Sequence, residues 1–414
     1  MQFYKKYIFI ILFSTLFSQD IESLYEKGQT FLESGNLKLA EDSFNTALEV
    51  DPSFAPALQG LSKLYLHKGD LKKSNGFAIQ AVQKDEDYRK WANQIIKITE
   101  MIQNGNRNVK QGLFDEAIKE YDKILSQHPY FPDAEFYKGL TRFKQKDIEK
   151  AAQHFKNALI IYPDHQKARK GLDNVTKQFL NAGNKAYKRG DISKSMSYYN
   201  KALEFDAEFY LAYFQLGVLQ KKQGQSKDAI KSLNKVLEIE PNHDKTWFTL
   251  GTAFESDGNN LEAIKHYNKA IELNPLYSKA YGNIGKIYTD MGKYDKAEDI
   301  LKTVIQIDPQ YADGLMRLGI LYLEQEKYVE ASKHLKIATE LDEKDYFKYF
   351  NLASAYNNLE EWERAIEASQ ACVDLKRRFG GGWLELGLAE MGRKNKTRAK
   401  RHFEEARKDR EWRR

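Results

Sequence analysis

Apolar and small residues recur along this chain with a period of 34 residues. With Ile21 as position 1, apolar residues fall at positions 4, 7 and 11 and again at positions 24 and 27, the spacing of one helical face. Position 8 is glycine in nine of the eleven copies, and position 20 is alanine or serine in all of them. This pattern predicts two antiparallel helices per copy, A and B, which cross closely at the two small positions. The copies begin at Ile21, Ala55, Ile98, Pro132, Thr176, Tyr210, Asp244, Ser278, Ala312, Tyr346 and Gly380.

The turn residues agree with this frame. Six of the eight prolines stand at position 32, after helix B, and the other two lie in the first turn of a helix A, where proline is tolerated. Glycine, which adopts the left-handed conformation that ends many helices, follows helix A in six copies. These glycines are Gly35, Gly69, Gly190, Gly224, Gly258 and Gly292. We therefore expect uninterrupted helices joined by tight turns.

The copies resemble the tetratricopeptide repeat family, whose pattern is W-x2-L-G-x2-Y followed by A-x3-F, A and P. The seventh copy carries the pattern nearly whole, as Trp247, Leu250, Gly251, Phe254, Ala263, Tyr267, Ala270 and Pro275. The resemblance covers 374 of the 414 residues. It implies an all-α fold, a right-handed superhelix (an α-solenoid) of eleven 34-residue helix-turn-helix repeats. The second copy departs most, with Ser62 at position 8 and Glu86 at position 32.

Two insertions divide the array of repeats. Repeats 1–2 span residues 21–88, repeats 3–4 span residues 98–165, and repeats 5–11 span residues 176–413. The inserted segments, 89–97 and 166–175, are poor in proline and glycine, so we interpret them as N-terminal extensions of the helix A that follows. We expect them to bend or offset the superhelix. No stretch of the chain remains for a separate catalytic domain.

Residues 1–18 have the pattern of an export signal. Two lysines precede an apolar run from Tyr7 to Phe17, which is too short to span a bilayer comfortably, and Ser18 follows. The pattern indicates a signal peptide that is cleaved near Ser18, and the alternative is a retained N-terminal anchor. We expect an exported protein of the periplasm or cell envelope.

Positive charge is concentrated at the other end of the chain. Residues 393–414 hold eleven Lys or Arg and four Asp or Glu, a net charge of +7, so the remainder contributes about −1 to the overall +6. The apolar face formed by Ala399, Phe403 and Ala406 predicts a polar capping helix that shields the end of the array. The alternative is adhesion of this helix to an anionic membrane or polymer surface.

No residue pattern in the chain indicates catalysis. The single cysteine, Cys372, excludes an internal disulfide, and the eight histidines form neither an i, i+4 pair nor an HExxH motif. Four histidines share position 23 and are interpreted as surface residues of helix B. The 48 tyrosines and phenylalanines fall mostly at core positions, so packing explains them without nucleic acid. Gly380, Gly381 and Gly382 open the last helix A, which favours a flexible segment over an anion site. We expect no metal, no cofactor, no nucleic acid partner and no enzymatic activity.

In the family that the chain resembles, helix A lines the concave face, and ligands contact its positions 2, 5, 6, 9, 12 and 13. Position 6 of this chain carries mostly amides, which donate to and accept from a peptide backbone at once. Position 5 adds phenylalanines, and positions 2 and 9 add lysines. The resemblance implies a ligand-binding groove formed by Asn181, Phe214, Gln215, Lys245, Phe248, Thr249, Lys279, Asn283, Lys286, Arg317, Phe350 and Asn351. The other interpretation is that position 6 is polar only because it is exposed.

Two functions are compatible with this sequence. The first is a non-enzymatic protein–protein interaction scaffold of the bacterial cell envelope, which binds extended protein or peptide segments in the concave groove. The second is an envelope adaptor for polysaccharide export or outer-membrane assembly, which uses the basic C-terminal helix. The family's carboxylate clamp needs lysine and asparagine at positions 5 and 9 of one repeat, and no repeat has that pair. The sequence leaves the partner and the oligomeric state open.

Overall fold

A computed structural model describes residues 20–409, which form a succession of α-helices joined by short turns. One 3-10 turn, Glu86–Tyr88, interrupts the series. The helices are α1 (20–33), α2 (Leu37–Val50), α3 (Ala55–His67), α4 (Leu71–Lys84), α5 (Arg89–Gln111), α6 (Phe114–Gln127), α7 (Pro132–Lys144), α8 (Ile148–Ile161), α9 (Gln166–Lys188), α10 (Ile192–Phe205), α11 (Tyr210–Lys222), α12 (Ser226–Ile239), α13 (Asp244–Ser256), α14 (Asn260–Leu273), α15 (Ser278–Asp290), α16 (Tyr294–Ile307), α17 (Ala312–Glu324), α18 (Tyr328–Leu341), α19 (Tyr346–Asn358), α20 (Trp362–Leu375), α21 (Gly380–Gly392) and α22 (Lys396–Ala406). The all-α fold predicted from the sequence is confirmed.

The helices follow the 34-residue frame. In repeat 7, helix A is α13 and begins at Asp244, position 1 of the frame, while helix B is α14 and begins at Asn260. The A helices of repeats 2, 4 and 6 to 11 all begin at position 1. The 34-residue frame therefore marks the first residue of helix A in these eight repeats.

Small residues let the two helices of a repeat cross closely. Tyr267 is fully buried opposite Gly251, and a methyl group on that glycine would lie 2.5 Å from the tyrosine ring. Gly139 has the same relation to Phe155, at 2.6 Å. Ala263, at position 20 of repeat 7, is also fully buried. The close approach at positions 8 and 20 is confirmed, because no larger side chain fits between these backbones.

Repeat 2 makes the same crossing with serine in place of glycine. Ser62 Oγ donates to the Ser74 carbonyl oxygen at 2.7 Å, and Ser74 Oγ donates to the Ser62 carbonyl oxygen at 2.8 Å. Trp91 Nε1 donates to Ser62 Oγ at 2.9 Å. Both buried hydroxyls are satisfied, so the departure from the repeat pattern leaves no unpaired polar group at this crossing.

The turns after helix A adopt the left-handed conformation. Gly258 has a φ of 80°, and the other five glycines predicted at this position also have positive φ. Four turns without glycine place Lys146, Glu326, Glu360 and Lys394 at φ between 57° and 63°. The frame therefore imposes this conformation even where a side chain disfavours it.

The two insertions belong to long helices. Residues 89–97 form the first turns of α5, and residues 166–175 are the first ten residues of α9. Both helices have 23 residues, whereas the other A helices from α3 onward have 13. The bend that we expect at these insertions stays a prediction, as does the division of the array into blocks of two, two and seven repeats.

The chain divides into two compact units, one ending at Ala212 and the other beginning at Tyr213. The first unit contains apolar clusters around Phe44 and Tyr121, and the second contains clusters around Tyr267 and Leu335. Among the described residues, no helix is long and apolar enough to cross a membrane. The predicted signal at 1–18 and the last five residues of the basic terminus lie outside the described part of the chain.

Candidate functional site

Consecutive A helices of the second unit carry eleven of the twelve predicted ligand-binding residues, which we call the A-helix row. They lie on α11, α13, α15, α17 and α19. The row consists of Phe214, Gln215, Lys245, Phe248, Thr249, Lys279, Asn283, Lys286, Arg317, Phe350 and Asn351. The twelfth residue, Asn181, is exposed on α9 in the first unit.

The three lysines of the A-helix row are exposed. Lys245 stands in the first turn of α13, and Lys279 stands at the equivalent position of α15. Lys286 Nζ lies 2.9 Å from Glu255 Oε1 and 3.3 Å from Asp290 Oδ2. The row therefore presents positive charge to solvent, part of it fixed in place by ion pairs.

A chain of hydrogen bonds joins three consecutive A helices of the row. Arg317 Nη2 donates to Asn283 Oδ1 at 3.1 Å, and Asn283 Nδ2 donates to the Tyr267 hydroxyl at 3.0 Å. The Tyr267 hydroxyl donates to Glu255 Oε2 at 2.7 Å, and Lys286 donates to the other oxygen of the same carboxylate. Each member fixes the orientation of the next, so these side chains are held in place before any ligand arrives.

The pKa shifts in this hydrogen-bonded chain favour a protonated Tyr267 and a charged Lys286. Burial raises the pKa of Tyr267, and the negative charge of Glu255 raises it further, so the tyrosine keeps its proton and donates it. Burial acts to lower the pKa of Lys286, but its contacts with Glu255 and Asp290 leave that pKa above its ordinary value. The lysine is therefore positively charged at neutral pH.

The polar residues at position 6 do not form a uniform exposed ladder. Asn351 is only 6% exposed, and its Nδ2 donates to the Phe347 carbonyl oxygen in the preceding helical turn at 2.6 Å. Thr249 is 8% exposed, and its hydroxyl donates to the Lys245 carbonyl oxygen at 2.7 Å. Exposure alone therefore does not explain why position 6 is polar, and Asn283 is the amide that connects neighbouring repeats.

The phenylalanines of the row are half-buried against aromatic neighbours. The Phe248 ring stacks on Tyr277 with centroids 4.9 Å apart, and Phe214 meets the edge of His243 at 5.2 Å. Phe350 contacts two further phenylalanines at 5.2 and 5.6 Å. Aromatic residues in the following turns cover part of each ring, so the phenylalanines at position 5 are only partly accessible to a ligand.

Beside the A-helix row, a fully buried lysine lies among three aspartates. Lys348 is 0% exposed, and its ammonium lies 2.8 Å from Asp313, 3.0 Å from Asp342 and 2.6 Å from Asp345. Burial acts to lower the pKa of Lys348, but the three carboxylates raise it above its ordinary range. The three aspartates therefore already surround a cation, which belongs to the protein itself.

Models of the tetratricopeptide repeat match more than half of the chain. The matched spans are 21–54, 102–165, 210–243, 244–310, 290–356 and 349–379. The chain belongs to the tetratricopeptide repeat family. Proteins of this family generally mediate protein–protein interaction, and their repeats typically form non-catalytic scaffolds.

Individual proteins match parts of the chain. It is 29% identical over 197 residues to human DnaJ homolog subfamily C member 7, covering 44% of this chain and 37% of that protein. It is 27% identical over 208 residues to TPR repeat-containing protein MJ1428 of Methanocaldococcus jannaschii, covering 50% and 30%. The chain thus spans about a third of the length of these two relatives. The crystal structure of MamA is 30% identical, with a TM-score of 0.37, and covers 41% of this chain and 92% of MamA.

The first unit of this tetratricopeptide protein contains a cleft that the repeat pattern did not predict. The cleft has a volume of about 1050 Å³, and α1, α3, α5 and the turns before α7 and α9 line it. Trp91 forms part of its wall, with Lys63 Nζ 5.7 Å from the ring centroid, and Tyr130 and Ile160 are 62% and 70% exposed. The only sequence signal was a tryptophan inside the insertion at 89–97.

A buried polar pair fixes the start of α7 near this cleft. Asp133 and His165 are each 4% exposed, and His165 Nε2 lies 2.7 Å from Asp133 Oδ1. The Ala168 N–H donates to His165 Nδ1 at 3.0 Å, so Nε2 carries the proton and donates it to the carboxylate. A methyl group on Gly69 would lie 3.0 Å from His165 Nε2, so the turn after α3 also packs on the pair.

The remaining candidates for chemistry have structural roles. Cys372 is fully buried, and burial raises the pKa of its thiol to about 12.

The Gly380 N–H donates to Asp409 Oδ2 at 2.8 Å, so a carboxylate of the chain itself occupies the helix terminus considered as an anion site. The three glycines are buried in the first turn of α21, and a methyl group on Gly382 would lie 2.8 Å from Cys372 Sγ, while the flexibility of this segment stays a prediction. These glycines allow α21 to pack closely on α20.

The histidines at position 23 are not simple surface residues. The His266 ring lies between Trp247, at 5.5 Å, and Phe254, at 4.9 Å, and burial lowers its pKa. His154 instead lies 2.6 Å from Glu135 Oε2. All four are half-buried, so the interpretation as surface residues of helix B holds only in part, because helix A places an aromatic ring or a carboxylate opposite them.

The basic C-terminal segment forms the last helix, α22. Ala399 and Ala406 are buried, and Phe403 packs opposite Gly387 of α21. Lys400 and Arg401 are exposed on the other face. The helix thus buries a narrow apolar face and presents a basic one to solvent.

Proposed function

We propose that this protein is a non-enzymatic scaffold of the bacterial cell envelope, and that the A-helix row binds extended protein segments. Membership of the tetratricopeptide family supports the general role in protein–protein interaction. The observation that carries the proposal is the hydrogen-bonded chain from Arg317 through Asn283 and Tyr267 to Glu255 and Lys286. It orders polar side chains on three consecutive A helices in advance, which lowers the entropic cost of binding.

The same hydrogen-bonded chain leaves one hydrogen-bond donor for a ligand. Asn283 uses its oxygen for Arg317 and one amide hydrogen for Tyr267, so its second amide hydrogen is available to a peptide carbonyl. An extended segment offers one carbonyl and one N–H per residue, and every group left unpaired on binding would cost free energy. The exposed Lys245 and Lys279 add positive charge along the same surface. These features favour a backbone-directed contact reinforced by charge.

Location in the envelope is supported by the sequence pattern of residues 1–18. If the signal is cleaved near Ser18, the mature chain recovered from a periplasmic fraction will begin at or just after residue 19. Mass spectrometry of the mature N-terminus measures this directly. Recovery of the uncleaved chain from the membrane fraction would support the retained anchor instead.

A crosslinked pull-down from native cells tests the binding surface. We expect the wild-type chain to capture a protein that is lost when Lys245→Ser and Lys279→Ser are combined. The matched control combines Lys231→Ser and Lys265→Ser, which remove two exposed lysines from helices α12 and α14. Loss of the same protein from both variants, or from neither, would contradict the assignment of binding to the A-helix row.

The basic face of α22 favours a second role, as an adaptor for polysaccharide export or outer-membrane assembly. Lys400 and Arg401 are exposed on α22, Arg407 is exposed directly after its last residue, and the packing of the helix does not use them. Changing all three to glutamine should therefore leave stability unchanged and weaken co-sedimentation with vesicles that contain phosphatidylglycerol. Equal sedimentation of the two proteins would leave α22 as a capping helix only.

A further inference from the structure

The last repeats contain a small pocket that none of the functions above uses. It has a volume of about 400 Å³ and lies between α19, α20 and α21. Leu388 and Met391, which are 42% and 44% exposed, form one side, and Trp362 forms part of the wall. A methyl group on Gly392 would lie 2.5 Å from the Trp362 ring, so the indole is held tightly against α21. The pocket therefore combines a fixed aromatic ring with exposed apolar side chains.

The polar group in this pocket is Glu385. The residue is only 7% exposed, and Asn357 Nδ2 donates to its Oε2 at 2.7 Å and to its backbone oxygen at 2.9 Å. Its pKa is raised by burial and lowered only in part by bonds to Asn357 and Ser354. Within residues 20–409, no lysine, arginine or histidine forms an ion pair with Glu385. The carboxyl thus has hydrogen-bond donors and lacks a compensating charge.

This isolation is unusual within the same unit. The other deeply buried charged groups there are compensated: Lys348 by three aspartates, and Glu390 by Arg398 at 3.4 Å. A buried carboxylate without a cation costs free energy, which a bound positive charge would recover. Glu385 is also position 6 of repeat 11, the next position in register after Asn351. It therefore extends the series of positions that forms the A-helix row.

We propose that this pocket binds the basic side chain, arginine or lysine, of the protein segment that the A-helix row holds. The cationic group would pair with Glu385, the aliphatic stem would lie against Leu388 and Met391, and the Trp362 ring would add a cation–π contact. The inference rests on the proposed function and adds one chemical requirement for the partner, a basic residue at the end that reaches repeat 11.

The test uses the full chain labelled with 5-fluorotryptophan and two small probes. N-acetyl-arginine amide carries the cation, and N-acetyl-citrulline amide has nearly the same shape without the charge. Trp362→Phe identifies the Trp362 signal among the five tryptophans in the fluorine NMR spectrum. We expect a saturable shift of this signal with the arginine probe, and about tenfold weaker binding of the citrulline probe.

Glu385→Gln is the decisive variant, because glutamine still accepts from Asn357 and keeps the shape of the pocket. It should weaken arginine binding about tenfold and leave citrulline binding unchanged. Glu363→Gln is the matched control, because Glu363 is exposed and pairs with Arg393 at 3.2 Å. Equal binding of the two probes, an unchanged arginine affinity in Glu385→Gln, or the absence of any shift would each overturn the proposal. These outcomes leave the lysine pull-down intact, so failure of the pocket and failure of the A-helix row are distinguishable.

Discussion

The start of α7 in repeat 4 and the start of α13 in repeat 7 occupy the same positions of the repeat and have different environments. Position 2 is the buried Asp133 in α7 and the exposed Lys245 in α13. Position 5 is the buried Phe136 in α7 and the half-buried Phe248 in α13. The repeat frame fixes the backbone at these positions, whereas the neighbouring turns decide whether they are available to a ligand.

The cause lies in what packs on each helix. All five residues from 132 to 136 are buried in α7, where His165 pairs with Asp133 and the turn at Gly69 packs on His165. In α13, one of the five equivalent residues is buried, three are half-buried, and Lys245 is exposed to solvent. A binding position inferred from the family pattern therefore applies only where the neighbouring elements leave helix A accessible.

The largest expected effect is the loss of the buried pair in α7. Asp133→Ala should lower the free energy of unfolding by about 2 to 4 kcal/mol, because it leaves the buried His165 Nε2–H without an acceptor and leaves a void. Urea denaturation followed by the helical circular dichroism signal measures this. A loss below about 1 kcal/mol would mean that the start of α7 is not held by this pair.

Replacing the crossing glycine with alanine should lower the free energy of unfolding by a similar amount in both regions. Gly139→Ala and Gly251→Ala each place a methyl group within 2.6 Å of a buried ring, so each should cost about 1 to 3 kcal/mol. The same denaturation experiment compares the two variants. A large difference between them would show that the shared backbone geometry does not extend to the packing.

The histidines at position 23 should give the two regions different pH dependence. Burial lowers the pKa of His266, so below pH about 6.5 the unfolded chain takes up a proton before the folded chain does, and stability falls. In the first unit, burial acts to raise the pKa of Glu135, but His154 and Lys138 hold it below its ordinary value. That contribution is present above pH about 4.5 and is lost as pH falls further.

His266→Phe therefore should remove part of the loss of stability between pH 7.5 and pH 5.5, while keeping the stacking on Trp247. Unfolding measured at both pH values in the wild type and the variant provides the comparison. An identical pH dependence in the two proteins would show that His266 is protonated in the folded state as easily as in the unfolded one.

The smallest effect is expected on the exposed surface of α13. Lys245→Ser should change the free energy of unfolding by less than about 0.5 kcal/mol, because the side chain is exposed and away from the core. Thermal unfolding is sufficient to measure it. A larger loss would place Lys245 among structural residues and make it unsuitable as a probe of binding.

Sequence periodicity predicted the fold to the level of single residues. The start of α13 at Asp244, the crossing of Gly251 with Tyr267 and the left-handed Gly258 all follow from interactions within one repeat. Such interactions join residues that are close in the chain or that recur in every copy. They therefore leave a signal in a single sequence.

The details of the candidate sites could not be predicted in the same way. The pairing of Asp133 with His165, of Lys348 with Asp313 and of Glu385 with Asn357 joins residues about 30 positions apart in neighbouring repeats. Each occurs once, so the periodic pattern cannot reveal it. The repeat frame likewise placed Asn351 at a groove position, but it did not indicate that the side chain would be buried against its own helix.

Site-specific photo-crosslinking in native cells tests the central claim most directly. A photoreactive phenylalanine analogue would replace Lys245 or Lys279 in the A-helix row and, as controls, Lys231 or Lys265 on helix B. If the row binds an extended segment, the two row positions will crosslink to the same short stretch of one partner protein, and the control positions will not. Crosslinks to that protein from the helix B positions, with none from the row, would contradict the account.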